Sequence, residues 1–486
     1  MRLHTIDAAI IAVYLIGITF FGLRFRKSQR SLRDYFLADR NIPWWAIALS
    51  IVAAETSTLT VIGTPGIAYA GAFGFLQLVF GYMLGRVVIS LILIPQYFRG
   101  EMFTAYELID RRFGKMLHRI TAGLFLVTRA AAEGVRVWAV SIVVRTALGT
   151  SEIGSVAIVM LLTLIYTFEG GMAAVIWTDV VQMVIYIGGT LAGFLTLTHL
   201  VPGGWPAIHS AAAQAGKLQV FDFSFTFFKT YTFWAGLIGG MFLTTASHGT
   251  DQLMVQRLLA SRNERDSKIA LLSSGVVILV EFSLFLMVGA GLWVFYRIYP
   301  PSTAFRTNDY VFPTFIVDHV PRGLCGLLIA AILAAAMSNL SAALNSLSST
   351  TMMDFYLRFR PGTKDRARLT ISRVATIFWC LVLFGLAVLS RQSKTVLETG
   401  LSIASVAYGG LLGVFLLGVL TRRATQLGAI AGMLCGLALD LYLWKGTHIA
   451  WTWYVTFGAT TTFVVGYAAS FILNGNAKPL EADGHH

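Results

Sequence analysis

Runs of about twenty apolar residues, separated by short polar and mostly basic segments, recur along the whole chain. At about 1.5 Å per helical residue, each run is long enough to cross the roughly 30 Å hydrocarbon core of a bilayer. The pattern predicts thirteen spans, near 6–25, 43–69, 74–98, 118–148, 155–169, 174–200, 230–259, 267–298, 321–353, 368–390, 396–420, 425–444 and 450–473. The first is followed by Arg24, Arg26 and Lys27 and lacks a small-residue cleavage site, so it reads as a retained helix, not a signal peptide. No polar block is long enough to fold alone. We therefore expect one all-α polytopic membrane domain over 1–486, with a disordered polar tail at 474–486.

Composition strengthens this reading. With the 46 glycines included, roughly 65% of the chain is apolar, against about 45–50% in a soluble domain. The mean hydropathy is +0.71. A water-soluble fold cannot hide that much apolar surface, which excludes a nucleic-acid reader and a soluble multidomain enzyme. The net charge of +13 has a topological cause. With the amino terminus outside, the inner segments carry 22 Lys/Arg and the outer ones 9. This bias predicts an outside amino terminus, a cytoplasmic carboxyl terminus and a multi-pass protein of the cell membrane. Cys325, Cys380 and Cys435 sit in apolar runs without paired spacing and offer neither a disulfide framework nor a metal knuckle.

Candidate chemistry lies in the polar residues at membrane depth, where each ionisable group is costly. They are Glu55, Arg86, Arg129, Glu133, Arg136, Asp179, Asp251 and Glu281. Arg129, Glu133 and Arg136 share one helix face. They form either a self-neutralising triad or a site where one arginine stays free for a substrate carboxylate. Ser50 to Gly66 (SIVAAETSTLTVIGTPG) is a poor continuous helix, and Thr244 to Gln252 (TTASHGTDQ) is a second weak point. Two interrupted spans in matching halves point to a transporter binding site, where freed carbonyls can hold a cation. Along Ala335 to Ser349, Ala335, Ser338 and Asn339 share one helix face with Ser341 three beyond Ser338, and this strip of hydroxyls and an amide oxygen serves either close helix packing or a hard monovalent cation.

The motifs carrying these residues are familiar. RNIPWWAIALSIVAAETSTLTVIGTPGIAYA (40–70), GGMAAVIWTDVVQ (170–182), TDQLMVQRLLA (250–260) and AAMSNLSAALNS (335–346) occur in the order found in the sodium:solute symporter family, and the chain resembles that family over almost its whole length. The family includes sodium–sugar, sodium–proline and sodium–sialic acid carriers. The resemblance implies a LeuT-like five-plus-five inverted repeat over 43–420, one leading helix at 6–25 and two trailing helices within 425–473. It also implies a sodium ion held by the carbonyls of Ala53, Thr56 and Ala335 and the side chains of Ser338 and Asn339. Family members usually have Ser or Thr where Asn339 stands. A second sodium, held by Asp179, Ser338 and Ser341, would lose one oxygen to Ala342. Ser57 and Thr60 match substrate-contacting hydroxyls of the sialic acid carriers. Glu55 replaces an asparagine of sugar carriers and an aspartate of proline carriers, and would pair with a cationic or zwitterionic solute. Thr244 and Ser247 fall near a sugar carrier's asparagine and gating tyrosine, whose absence argues against a standard hexose site. Gln77 is a further contact.

The expectation is a monomeric, sodium-coupled symporter in the lipid bilayer that imports a small polar organic solute by alternating access. A polytopic enzyme would need converging His, Asp and Glu, and the nine histidines do not supply them. A carrier-like sensor reporting ligand to a partner would normally add a cytoplasmic signalling domain, for which no sequence follows the last span.

Overall fold

The structure is a computed structural model that describes residues 4–25, 31–148, 151–301, 304–305, 307–390 and 396–473. The tail expected at 474–486 lies outside these residues, as do Arg2, Arg26, Lys27, Arg30, Arg306, Arg391, Lys394 and Lys478 of the charge count. Among the described residues, regular structure is helical apart from one isolated bridge, Ile42 with Ser261.

In chain order, α1 is Thr5–Leu23, and the second predicted span is two helices, α2 (Trp44–Glu55) and α3 (Thr58–Ala70). Then follow α4 (Phe75–Val88), α5 (Lys115–Leu148) and α6 (Glu152–Leu200). Next come α7 (Gly240–Gly249), α8 (Gln252–Leu259), α9 (Glu264–Ile298) and α10 (Leu324–Thr350). The last four are α11 (Asp365–Leu389), α12 (Val396–Leu420), α13 (Gln426–Gly446) and α14 (Tyr454–Ile472). Among the described residues, eight helices are long and apolar enough to cross a bilayer, or nine when the bent pair α2–α3 is counted as one span.

Charge pattern and glycine explain where the elements depart from plain apolar rods. α5 carries Arg129, Glu133 and Arg136 in mid-helix, so it is long but not uniformly apolar. α6 spans 49 residues, yet turns at Gly171, whose φ of 54° lies in the region glycine tolerates. The two spans read at 155–169 and 174–200 therefore meet at this kink. α10 lies at the centre, with 94% of its most apolar stretch buried, whereas α14 buries 28% and offers the rest to lipid. The serine-rich half of α10 faces α2, α6 and α8.

Candidate functional site

The site begins with a helix break that local chemistry dictates. Ser57 starts α3 with a capping box: its backbone N–H donates to Thr60 Oγ1 at 3.3 Å while its own hydroxyl faces the first turn. In a continuous helix the Ser57 amide would bond Ala53's carbonyl, and the Thr60 amide would bond Thr56's. Here the Thr60 amide bonds the Ser57 carbonyl instead, at 2.9 Å. The chain turns by 65° at this point. Of the three carbonyls the resemblance assigns to sodium, the two at this break, Ala53 and Thr56, thus lose their helical donors. A second break separates α7 from α8, where Asp251 caps the new helix by accepting from the Leu253 amide at 2.9 Å.

α10 brings its polar face to the first break. Ser338 donates to Asp179 Oδ1 at 2.7 Å, which leaves its oxygen lone pairs for a cation. Asn339 behaves differently. Its Nδ2 donates to the Ala54 carbonyl at 2.8 Å, and its Oδ1 accepts from Arg136 Nη1 at 3.4 Å. A guanidinium on that oxygen disfavours a cation there. Asp179 is wholly buried and already answered: Arg257 Nη2 lies 2.8 Å from Oδ2, and Ser50 donates to the same oxygen at 2.6 Å. Ser341 turns its hydroxyl back to the Ser338 carbonyl at 2.9 Å.

Between the two breaks lies a cavity of ≈ 950 Å³, part of it continuous with solvent. Glu55, Ser57, Thr60, Arg129, Arg136, Thr244 and Ser247 all line it, beside the apolar walls Leu59, Phe75, Leu243 and Phe282. Gln77 does not. Its amide nitrogen bonds the Gly74 and Tyr231 carbonyls and its oxygen accepts from the Asp222 amide, so it holds a loop. Sequence reasoning missed Tyr82, His248 and Tyr408 in the lining. Single aromatic and histidine residues in apolar runs carry no signal of the direction they face.

Charge is balanced within each wall. Arg86 Nη2 pairs with Glu55 Oε2, and His248 Nε2 approaches the same oxygen at 3.2 Å. The Arg86 side chain is 1% exposed and also donates to Ser274 and to the Tyr82 carbonyl. Glu55 thus has its cation from the protein, not from a zwitterionic solute. On the opposite wall Glu133 Oε2 receives Arg129 and Arg136 at 3.3 Å each. Asp251 receives Arg129 at 3.5 Å and the Tyr408 hydroxyl at 2.7 Å. Arg129 is held between two carboxylates and is 7% exposed, while Arg136 is 21% exposed. Arg136 also borders a smaller neighbouring cavity containing Ser57, Glu133 and Asn339.

Two interrupted membrane helices around a polar cavity are the architecture of a secondary carrier, built to present a solute and its coupling ion to each side in turn. Residues 35–436 match the sodium:solute symporter family, and the chain belongs to it. The sodium/sialic acid symporter SiaT of Proteus mirabilis is 28% identical, with 99% of each chain aligned. A solved structure of a sodium-coupled sialic acid symporter, substrate-bound and outward-open, superposes with a TM-score of 0.89 at 25% identity, covering 98% of this chain and 99% of that one. The nucleobase–cation symporter Mhp1 in a closed conformation shares the fold, with a TM-score of 0.62 at 14% identity over 89% of this chain and 93% of its own. The protein is a sodium-coupled solute symporter with sodium as its coupling ion.

Proposed function

We propose that the imported solute is a small polar organic acid, bound in the cavity between the two helix breaks with its carboxylate on Arg136. The carrying observation is the asymmetry of exposure in the lining: Glu55 is neutralised by the buried Arg86 and hydrogen-bonded by His248, while the Arg136 side chain, 21% exposed, borders the cavity. The amino end of α3 points its dipole into the same space and favours an anion. Ser57, Thr60, Thr244 and Ser247 supply hydroxyls for a polyhydroxylated body, against Phe75 and Phe282. Sialic acid, the cargo of the Proteus mirabilis relative, has this chemistry.

On this reading sodium binds at the first break through Ala53, Thr56, Ala335 and Ser338, and ties α2 to α10 so that the cavity is formed only when the ion is present. The ten helices over 43–420 make a five-plus-five inverted repeat, with one helix before and two after, thirteen spans in all. The amino terminus is outside, the carboxyl terminus cytoplasmic, and a monomer suffices. A thermal-shift screen of purified protein tests the solute class, with sugars, amino acids and organic acids each run in sodium and in potassium. Carboxylated, hydroxyl-rich compounds should stabilise the protein in sodium only, and Arg136→Ala should remove that shift. Stabilisation by amines or neutral hexoses but not by acids overturns the reading.

A further inference from the structure

Most intramembrane carboxylates here have a visible partner. Glu55 has Arg86, Glu133 has two arginines, Asp179 has Arg257 and Asp251 has Arg129. Two of the described ones, Glu281 and Asp440, have no hydrogen-bond partner on either oxygen. Asp440 is wedged against glycine backbone, so tightly that a Cβ on Gly458 would lie 1.8 Å from Oδ2. Glu281 is set differently. It projects from α9, 2% exposed, toward the first helix break. The Thr56 hydroxyl and the Tyr186 hydroxyl face it, both wholly buried and both without a hydrogen-bond partner. Thr56 stands between the other two and contacts each, outside the distance and angle of a well-formed hydrogen bond. The charged neighbour acting on Glu281 is Glu55, of the same sign.

A bare carboxylate at this depth, beside a like charge and two orphaned hydroxyls, is strongly disfavoured. Oxygens that converge without bonding each other are what a hard monovalent cation requires of its ligands. We propose that Glu281, with the hydroxyls of Thr56 and Tyr186, forms a second sodium site. It is distinct from the Asp179–Ser338–Ser341 set, whose carboxylate is already paired with Arg257. Thr56 belongs to both ions, its carbonyl to the first and its hydroxyl to the second. Two ions on one residue at the bend make the α2–α3 angle respond to both.

The site also answers a need raised by the solute, and this part rests on the anionic reading above. One sodium carried with a monoanion moves no net charge, so a tenfold sodium gradient supports only about 10-fold accumulation. A second sodium adds another factor of about ten and recovers a factor of roughly 50 from 100 mV of membrane potential.

The test is equilibrium binding of radioactive sodium to the purified full-length chain in detergent, without solute. The wild type should bind two ions per chain and Glu281→Gln one, while Ser338→Ala keeps the ion that Glu281 holds. Tyr186→Phe and Thr56→Val each remove one hydroxyl and should weaken that ion roughly tenfold, and they decide the question if Glu281→Gln does not fold. A wild-type stoichiometry of one, or unchanged sodium binding in these variants, overturns the assignment. Solute is absent from the measurement, so two bound ions without uptake of any organic acid upholds this site while failing the solute reading.

Discussion

Glu55→Gln separates an ion pair that builds the cavity from a carboxylate that touches cargo. The substitution removes the charge facing Arg86, whose side chain is 1% exposed. Breaking a buried pair from one side costs about 3–5 kcal/mol, because the remaining charge stays buried without its partner. Arg86 keeps its bonds to Ser274 and the Tyr82 carbonyl, and Glu55 is 12% exposed. Both facts place the expected loss near the lower end, about 3 kcal/mol. Adding Arg86→Met removes the orphaned guanidinium and should restore most of that loss. Tryptophan fluorescence during unfolding in mixed detergent–SDS micelles reads the stability of the wild type, the single variant and the double variant. Solute binding to the double variant should persist, weakened by the altered wall. A Glu55→Gln protein as stable as wild type but unable to bind solute would refute the argument and make Glu55 a direct ligand of the cargo.

Three further outcomes follow from the same geometry. Ser338→Ala removes a candidate sodium oxygen without opening a large cavity, and should raise the sodium concentration needed for half-maximal uptake at least tenfold while the melting profile in potassium stays near wild type. Asp179→Asn leaves Arg257 buried and unpaired, and should lower stability by about 3 kcal/mol in the same unfolding assay without changing the ratio of sodium to solute transported. Gly289→Val drives a side chain into α3, since a Cβ there would lie 2.2 Å from the Pro65 carbonyl oxygen. It should abolish folded, monodisperse protein on size exclusion, whereas Gly17→Ala, with nothing within 4 Å, should not.

Much of the scaffold was legible because membranes enforce simple rules. Apolar runs marked the helices, the gap between the 155–169 and 174–200 runs marked the turn inside α6, and the Thr–Ser–Thr cluster after Glu55 marked the break that begins α3. The 43–69 run was readable as interrupted because capping residues compete with the backbone wherever they occur. What the sequence hid was partnership. Nothing in the local pattern links Glu55 to Arg86, 31 residues away on α4, or Asp179 to Arg257, 78 away on α8. Without those pairs, Glu55 reads as an open invitation to a cationic solute. The same blindness covered Glu281, which looks like the other buried acids until its neighbours are seen to include no cation. Asn339 shows a third limit: its amide could be placed at the ion site from its position, but Arg136 on its oxygen could not.

The central claim is that sodium binding at the first helix break creates the cavity in which Arg136 holds an organic acid. Uptake of radiolabelled sialic acid, with other hydroxylated organic acids in parallel, into liposomes containing only this protein tests it most directly. An inward sodium gradient should drive accumulation of at least one of these acids in the wild type, potassium should not, Ser338→Ala should sharply lower it at physiological sodium and Arg136→Ala should abolish it. Equal uptake in sodium and potassium, or sodium-driven uptake that survives Arg136→Ala, would contradict the account.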